Sequence, residues 1–408
     1  MLIRCSVPRI GVRPMIVPLR EAAITFQQLA NNERFSRQSQ IHGWSQEALS
    51  RAKLLIAGCG ALGNETLKNL ALLGIGTLGI IDFDLVEVTN LSRSVLFRET
   101  DVGQPKAHVA ALRLAELNPE IKVTPMHLDL TSELGAGTIA DYDLVLGCLD
   151  NIEARWRLNR LCYSAGVSSI DAGIEATAGQ IAYFDAHNGP CYECSMTSSM
   201  WQRLNEKRSC LLPVQTAASP HIPTSSIISS LLASLQAQEA VAQLHHRFAP
   251  LPTRSKWSVL KSGDRVSTTL APYSISVMHA KRNDACLAHS DESIETFDIE
   301  VSPSQISVEQ ILAQTNMDAL ELDWDIAIAF DCLTCGTEPV CIPSFRVVAS
   351  ALNCPGCCRA RRPEWQNRVT GESRLATRTL AELGTPPRAY LSLVTNHGHR
   401  LHCRLHEP

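Results

Sequence analysis

Short apolar segments alternate with amphipathic segments through the first two thirds of the chain. The apolar segments have the length of buried strands, and they cover residues 53–57, 78–82, 121–127, 144–149 and 181–184. Between them, apolar residues recur at helical spacing, as in the segment that ends before Pro119. This alternation is typical of βαβ units. It predicts a Rossmann-like α/β fold, with a mostly parallel sheet and helices on both faces.

The periodicity is interrupted after Cys194. Residues 195–223 contain three prolines and no clear repeat, so they are expected to form a long crossover loop. A helix is expected from about Thr224 to His246, and residues 255–282 are expected to form closing strands. A polar, acidic break at 290–295 divides the chain. We therefore expect an N-terminal arm (1–32), a main domain (33–290) and a C-terminal domain (291–408).

The composition excludes some classes of protein. The net charge of the 408 residues is −4, and no basic stripe of the kind that binds nucleic acid is present. No apolar run reaches the roughly 18 residues that a membrane helix needs. Six of the fifteen cysteines form Cys-x-x-Cys pairs, which favours metal sites over disulfides. We expect a protein of a reducing compartment, the cytoplasm.

A glycine-rich turn follows the first predicted strand. Gly58, Gly60 and Gly63 form G-x-G-x-x-G before a predicted helix, and such glycines let phosphates approach the backbone at a helix N-terminus. Asp82 ends the next strand, at the spacing expected of a residue that binds a ribose. These four residues alone fit an NAD-dependent oxidoreductase as well as an enzyme that uses ATP.

The polar residues that follow favour ATP. Asp84, Asn90, Arg93, Lys106 and Asp150 place two carboxylates, an amide and two cations beside one nucleotide. Cations can stabilise a pentavalent α-phosphate, and a carboxylate can hold Mg²⁺ on the phosphates. This combination suits an enzyme that adenylates a carboxylate. The alternatives are that Lys106 is solvated at the start of a helix and that Asp150 only caps the next one.

The motif Arg34-x-x-Arg37-Gln38 precedes these residues in the chain. Together they resemble the motifs of the ThiF/MoeB/HesA family, which includes the ubiquitin-activating enzymes. The resemblance covers residues 33–290. It implies that Asp82 holds the ribose of ATP and that Asp150 binds Mg²⁺. The residues that it implies for phosphate contact are Asn90, Arg93 and Lys106.

The resemblance also has implications for partners. Arg37 is expected to reach into the site of a second subunit in a homodimer, and the alternative is a surface ion pair. The expected substrate is the C-terminal glycine carboxylate of a ubiquitin-like or sulfur-carrier protein. A conjugating-type enzyme is a further expected partner in bacterial operons of the kind linked to phage defence.

The cysteines predict two structural zinc sites. Relatives complete a site such as Cys191–Cys194 with a second pair near the end of the domain, which here corresponds to Cys286 and His289. Alternatively, Cys191 and Cys194 borrow a pair from the C-terminal domain. That domain has two knuckles of its own, typical of a zinc ribbon. Their residues are Cys332, Cys335, Cys354 and Cys357.

Cys210 lies in the predicted crossover loop, where relatives that form thioesters carry the reactive cysteine. Lys207 and Arg208 precede it, and nearby cations favour the thiolate. We expect adenylation followed by thioester formation at Cys210, although an inert loop cysteine is an alternative. Two further alternatives are adenylation for sulfur transfer, as in thiamine or molybdopterin synthesis, and a zinc scaffold with a vestigial nucleotide site.

Overall fold

The computed structural model describes residues 33–208, 223–249, 257–286, 288 and 295–407. The predicted N-terminal arm, Cys210 and His289 lie outside these residues. The described chain contains an eight-stranded sheet followed by a six-stranded sheet. In the described parts of the chain, no helix is both long and apolar enough to cross a membrane.

The first sheet has the order β3-β2-β1-β4-β5-β6-β7-β8. Strands one to five run parallel, and the last three pair in antiparallel fashion. The strands are β1 (Lys53–Ala57), β2 (Thr77–Ile81), β3 (Lys122–Met126), β4 (Leu144–Gly147), β5 (Ser169–Glu175), β6 (Ala178–Phe184), β7 (Asp264–Leu270) and β8 (Tyr273–His279).

Helices cover both faces of this sheet, because alternate residues of a strand point to opposite sides. Leu54 and Ile56 of β1 pack in one apolar core, and Leu55 and Ala57 pack in the other. The helices are α1 (Gln46–Arg51), α2 (Ala61–Leu73), α3 (Lys106–Leu117), α4 (Ala136–Ile139), α5 (Ile152–Ala165), α6 (Ser198–Arg208) and α7 (Ser226–Phe248). The predicted Rossmann-like fold class is confirmed.

The prediction of a loop over residues 195–223 is wrong for the part that forms α6. Thr197 immediately precedes this helix, and its hydroxyl accepts a hydrogen bond from the backbone N–H of Met200 at 3.3 Å. Leu204 is buried against Trp156 and Phe184. Met200 and Trp201 pack beside it, so the apolar face of this helix is little more than one turn long and shows no period in the sequence.

The C-terminal sheet has the order β11-β10-β13-β14-β9, and β12 also pairs with β10. One helix packs on it, and its apolar core is separate from the two cores of the first sheet. The elements are β9 (Glu295–Glu300), α8 (Val308–Thr315), β10 (Ala319–Cys332), β11 (Gly336–Pro343), β12 (Arg362–Thr370), β13 (Tyr390–Val394) and β14 (Arg400–His406).

Candidate adenylation site and cysteine clusters

The glycine-rich turn joins β1 to α2, and its three glycines have different roles. Gly58 has φ = +96°, and a Cβ there would lie 2.5 Å from the carbonyl oxygen of Cys148. A Cβ on Gly63 would lie 2.1 Å from the carbonyl oxygen of Gly58, so these two positions need glycine for folding. A Cβ on Gly60 would meet nothing within 4 Å. The space beside Gly60, at the N-terminus of α2, suits the close approach of a phosphate.

Asp82 follows β2 and lies directly beside this turn. Its Oδ2 accepts a hydrogen bond from the backbone N–H of Cys59 at 2.6 Å, and its Oδ1 accepts one from Asp84 at 2.8 Å. Burial raises the pKa of Asp82, and Lys106 opposes that rise. The carboxylate is therefore fixed against the glycine turn by two backbone donors.

Lys106 is the first residue of α3 and reaches back to the same place. It is only 7% exposed, and its Nζ lies 2.7 Å from Oδ2 of Asp84. Burial alone would lower the pKa of Lys106, but attraction to Asp82 and Asp84 outweighs it and raises the pKa above its ordinary value. An ammonium group that is charged at neutral pH therefore lies beside the turn.

Asn90 and Arg93 lie on the segment between β2 and α3. Asn90 is buried, and its side-chain oxygen accepts a hydrogen bond from the backbone N–H of Glu87 at 2.9 Å. The guanidinium of Arg93 donates to the carbonyl oxygen of Thr89. The short helical turn Val88–Asn90 thus holds both side chains. The segment that follows this turn leads to Lys106 at the start of α3.

Asp150 is exposed and lies between β4 and α5. It does not cap the helix: Asn151 does, by accepting a hydrogen bond from the backbone N–H of Ala154 at 2.8 Å. Asn151 also donates to Oδ1 of Asp150 at 3.1 Å. The capping alternative for Asp150 is therefore wrong, and its carboxylate remains available to a cation.

Sequence reasoning missed three polar residues that hold the site. Arg155 donates to the carbonyl oxygens of Leu149 and Ala172 and pairs with Asp171. Gln236 of α7 donates to Gly147 at 3.1 Å. The third is Asn64, which donates to the carbonyl oxygen of Cys59 at 2.7 Å. The signal for Arg155 was its place one helical turn after Asn151, but nothing local marks Gln236.

Arg37 lies apart from this cluster. It is exposed, immediately before the short helical turn Gln38–Gln40, and it makes no ion pair within the described ranges. Gln38 of the same motif is fixed, because its amide donates to Gln46 at 2.9 Å and to the carbonyl oxygen of Leu73 at 3.2 Å.

Cys191, Cys194 and Cys286 form what we call the three-cysteine cluster. Their sulfurs lie within 4.8 Å of one another, and two of the separations are 3.8 and 3.7 Å. Tetrahedral zinc with Zn–S bonds of about 2.3 Å requires sulfurs about 3.8 Å apart, so the donors fit zinc. Cys286, not a C-terminal pair, joins Cys191 and Cys194, and the predicted fourth ligand lies outside the described residues.

The four-cysteine cluster lies at the β10–β11 hairpin and unites both predicted knuckles. Its residues are Cys332, Cys335, Cys354 and Cys357. The Sγ atoms of Cys332 and Cys357 are 3.6 Å apart, again the separation that tetrahedral zinc needs. Backbone N–H groups of Cys357 and Gly356 lower the pKa of Cys354 to about 6, which favours a thiolate ligand.

Comparison with known proteins identifies the family. A family model described as ThiF family matches residues 33–288. Molybdopterin-synthase adenylyltransferase from Salmonella typhimurium is 36% identical over 221 residues, which cover 53% of this chain and 84% of that protein. The sulfur carrier protein adenylyltransferase of Thermus thermophilus is 38% identical over 170 residues, covering 40% of this chain and 63% of that protein.

Two further proteins are similar to this chain. Subunit 2 of the SUMO-activating enzyme of Dictyostelium discoideum is 37% identical over 165 residues, covering 40% of this chain and 25% of that subunit. The crystal structure of E. coli MccB with AMPCPP and MccA shares the fold, with a TM-score of 0.51 and 24% identity over 67% of this chain and 83% of that one. The chain therefore belongs to the ThiF family and is an adenylyltransferase of that family.

Proposed function

We propose that the chain uses ATP to adenylate the C-terminal carboxylate of a small ubiquitin-like protein of the sulfur-carrier class. The observation that carries the proposal is the cluster of Asp82, Asp84 and Lys106 beside the open space at Gly60. The cluster lies at the carboxyl ends of β1 and β2, where parallel sheets bind nucleotides. The named functions of the bacterial relatives favour a sulfur carrier over a modifier that is conjugated to targets.

The residues suggest a division of roles. Asp82 would accept hydrogen bonds from the ribose hydroxyls, and Asn90, Arg93 and Lys106 would contact the phosphates. Asp150 would hold Mg²⁺, which supplies charge neutralisation on the phosphates when bound. A carboxylate oxygen of the carrier attacks the α-phosphorus and forms an O–P bond, the bond to the bridging oxygen breaks, and pyrophosphate leaves.

Lys106 would make the largest contribution to the transition state. Its ammonium group is buried and charged, so it stabilises the negative charge that develops on the α-phosphate without first losing a hydration shell. Asp84 is half exposed and holds Nζ in place until phosphate oxygens compete for it. This arrangement prepares the site before the nucleotide arrives.

We also propose that the enzyme acts as a homodimer in which Arg37 enters the partner's site. The support is that Arg37 is exposed and unpaired in the described chain, while the neighbouring Gln38 is anchored. Mixing Arg37→Ala with Asp150→Ala subunits should restore one competent site per heterodimer. Failure of mixing to restore activity would place Arg37 outside the partner's site.

The test of the reaction is ATP–pyrophosphate exchange with sulfur-carrier proteins that end in glycine. Exchange should require the carrier, and Asp150→Ala should abolish it. Cys210→Ala should leave exchange intact, since adenylation precedes any transfer to a thiol. A reductant-sensitive adduct between wild-type enzyme and carrier that Cys210→Ala removes would favour thioester formation over direct use of the adenylate.

A further inference from the structure

Helix α5 contacts three parts of the molecule. At its N-terminal end, Asn151 caps the helix and donates to Asp150. Near its C-terminal end, Arg160 makes two hydrogen bonds, at 2.8 and 3.3 Å, to the fully buried carboxylate of Glu193 beside the three-cysteine cluster. Between these contacts, Arg157 reaches the C-terminal domain. One helix therefore joins the adenylation site, the three-cysteine cluster and the second sheet.

The contact of Arg157 is an ion pair with a residue of β10. Nη1 of Arg157 lies 2.5 Å from Oδ2 of Asp323, and the two side chains are 8% and 50% exposed. The guanidinium also lies 6.0 Å from the ring centre of Trp324, which is fixed by a 2.8 Å hydrogen bond to Leu383. The C-terminal domain thus balances the charge of Arg157, which is itself buried. A buried charge that loses its partner is strongly unfavourable.

A second contact shows that the C-terminal domain is docked at a defined place. The backbone N–H of Gly137 in α4 donates to the carbonyl oxygen of Arg388 at 2.9 Å, and Arg388 forms a two-pronged ion pair with Asp141. A Cβ on Gly135 would lie 2.2 Å from the carbonyl oxygen of Pro387. Arg388 has φ = +55°, an uncommon conformation for a residue with a side chain.

We propose that the C-terminal domain positions the adenylation site through α5. Asp323 holds Arg157, Arg157 holds the helix, and the helix sets the place of Asp150 at its N-terminal end. From Ile152 to Arg157 the helix rises about 8 Å as one stiff element, and its cap Asn151 donates to Asp150, so a shift at Arg157 is transmitted to Asp150. Asp323 and Arg157 are positioning residues, and the inference rests on the proposed role of Asp150 in binding Mg²⁺.

The test is Asp323→Asn in the full-length enzyme. The concentration of Mg²⁺ for half-maximal ATP–pyrophosphate exchange should rise by on the order of tenfold, the usual size of such coupling. The rate at saturating Mg²⁺ should change little, because no group that touches the nucleotide has been altered. Asp323→Glu should restore the wild-type Mg²⁺ dependence, since it returns the carboxylate.

Asp298→Asn is the matched control. Asp298 is a half-exposed carboxylate of the same sheet whose partner is His406, and among the described residues it makes no hydrogen bond or ion pair with α5. This variant should keep the Mg²⁺ dependence of the wild type. Amide hydrogen exchange over residues 150–158 gives a second readout, and it should be faster in Asp323→Asn than in Asp298→Asn.

Two results would overturn the proposal. One is faster amide exchange in α5 with an unchanged Mg²⁺ requirement, because the contact would then be structural only. The other is equal amide exchange in both variants.

If the wild-type enzyme shows no ATP–pyrophosphate exchange, the proposed function fails separately, and the inference is decided by titrating Mg²⁺ and ATP into both variants. A tenfold weaker Mg²⁺-dependent affinity for ATP in Asp323→Asn alone would then support it, and equal affinities would overturn it.

Discussion

At the nucleotide end of the first sheet, backbone hydrogen bonds hold a charged side chain in place. At the four-cysteine cluster of the second sheet, the side chains that face one another are all thiols. Asp82 accepts two backbone hydrogen bonds, and Lys106 is buried at the start of α3. Cys335 is exposed, and its neighbours in the cluster are other cysteines. The first site is therefore stabilised by the core beneath it, while the second needs an ion to hold it together.

The largest effect expected from this difference is loss of metal from the second site. Cys354→Ser should remove one of two zinc equivalents and unfold the hairpin around β10 and β11, since structural zinc contributes on the order of 10 kcal/mol. Zinc analysis together with circular dichroism would measure this. Cys358→Ser is the control, because Cys358 is exposed and outside the cluster. Full zinc content in Cys354→Ser would contradict the assignment.

The nucleotide end should instead lose activity while keeping its fold. Lys106→Ala should reduce ATP–pyrophosphate exchange by about 10²- to 10³-fold, the usual cost of removing one charge-stabilising group. Lys122→Ala changes an exposed lysine at the start of β3 and should have no such effect. A wild-type rate in Lys106→Ala would mean that the ammonium group does not act on the phosphates.

The glycine turn allows fold and function to be separated within one motif. Gly63→Ala should lower the free energy of unfolding by about 1–3 kcal/mol, because its Cβ would overlap the backbone of Gly58. Gly60→Ala meets no atom of the protein, so stability should be unchanged while the KM for ATP rises. Chemical denaturation and exchange kinetics would measure both. The account is wrong if Gly60→Ala destabilises the fold and leaves KM unchanged.

The smallest expected effect concerns pH and the segment that carries Arg37. His245 accepts a hydrogen bond from the backbone N–H of Ser45 at 2.8 Å and donates to Val241 at 2.7 Å. Burial lowers the pKa of His245. Its contribution to stability is therefore present above about pH 6.5 and is lost as pH falls through the lowered pKa, at up to about 1.4 kcal/mol per pH unit.

His245→Gln should be less stable than wild type at neutral pH but less sensitive to acid between pH 6.5 and 5. Thermal unfolding across this range would measure it. His397→Gln changes an exposed histidine of the C-terminal domain and should keep the pH dependence of the wild type. An equal acid sensitivity in the wild type and in His245→Gln would show that other groups cause it.

The two ends also differ in what could be predicted from the sequence. Strands β1 to β4 and the glycine turn follow from local patterns, because each residue's role depends on its neighbours in the chain. The four-cysteine cluster followed from spacing alone. The sequence could not reveal Gln236 or the pairing of Arg157 with Asp323, which join residues 89 and 166 positions apart. Helix α6 was missed because its apolar contacts are confined to little more than one turn.

The measurement that tests the central claim most directly is carrier-dependent ATP–pyrophosphate exchange with the wild-type enzyme. We predict exchange with a sulfur-carrier protein that ends in glycine, none when that glycine is deleted or its carboxylate is amidated, and none in Asp150→Ala. These results would show that the enzyme adenylates a C-terminal carboxylate and needs Asp150 to do so. Exchange that is equally fast without any carrier carboxylate, or undiminished in Asp150→Ala, would contradict the account.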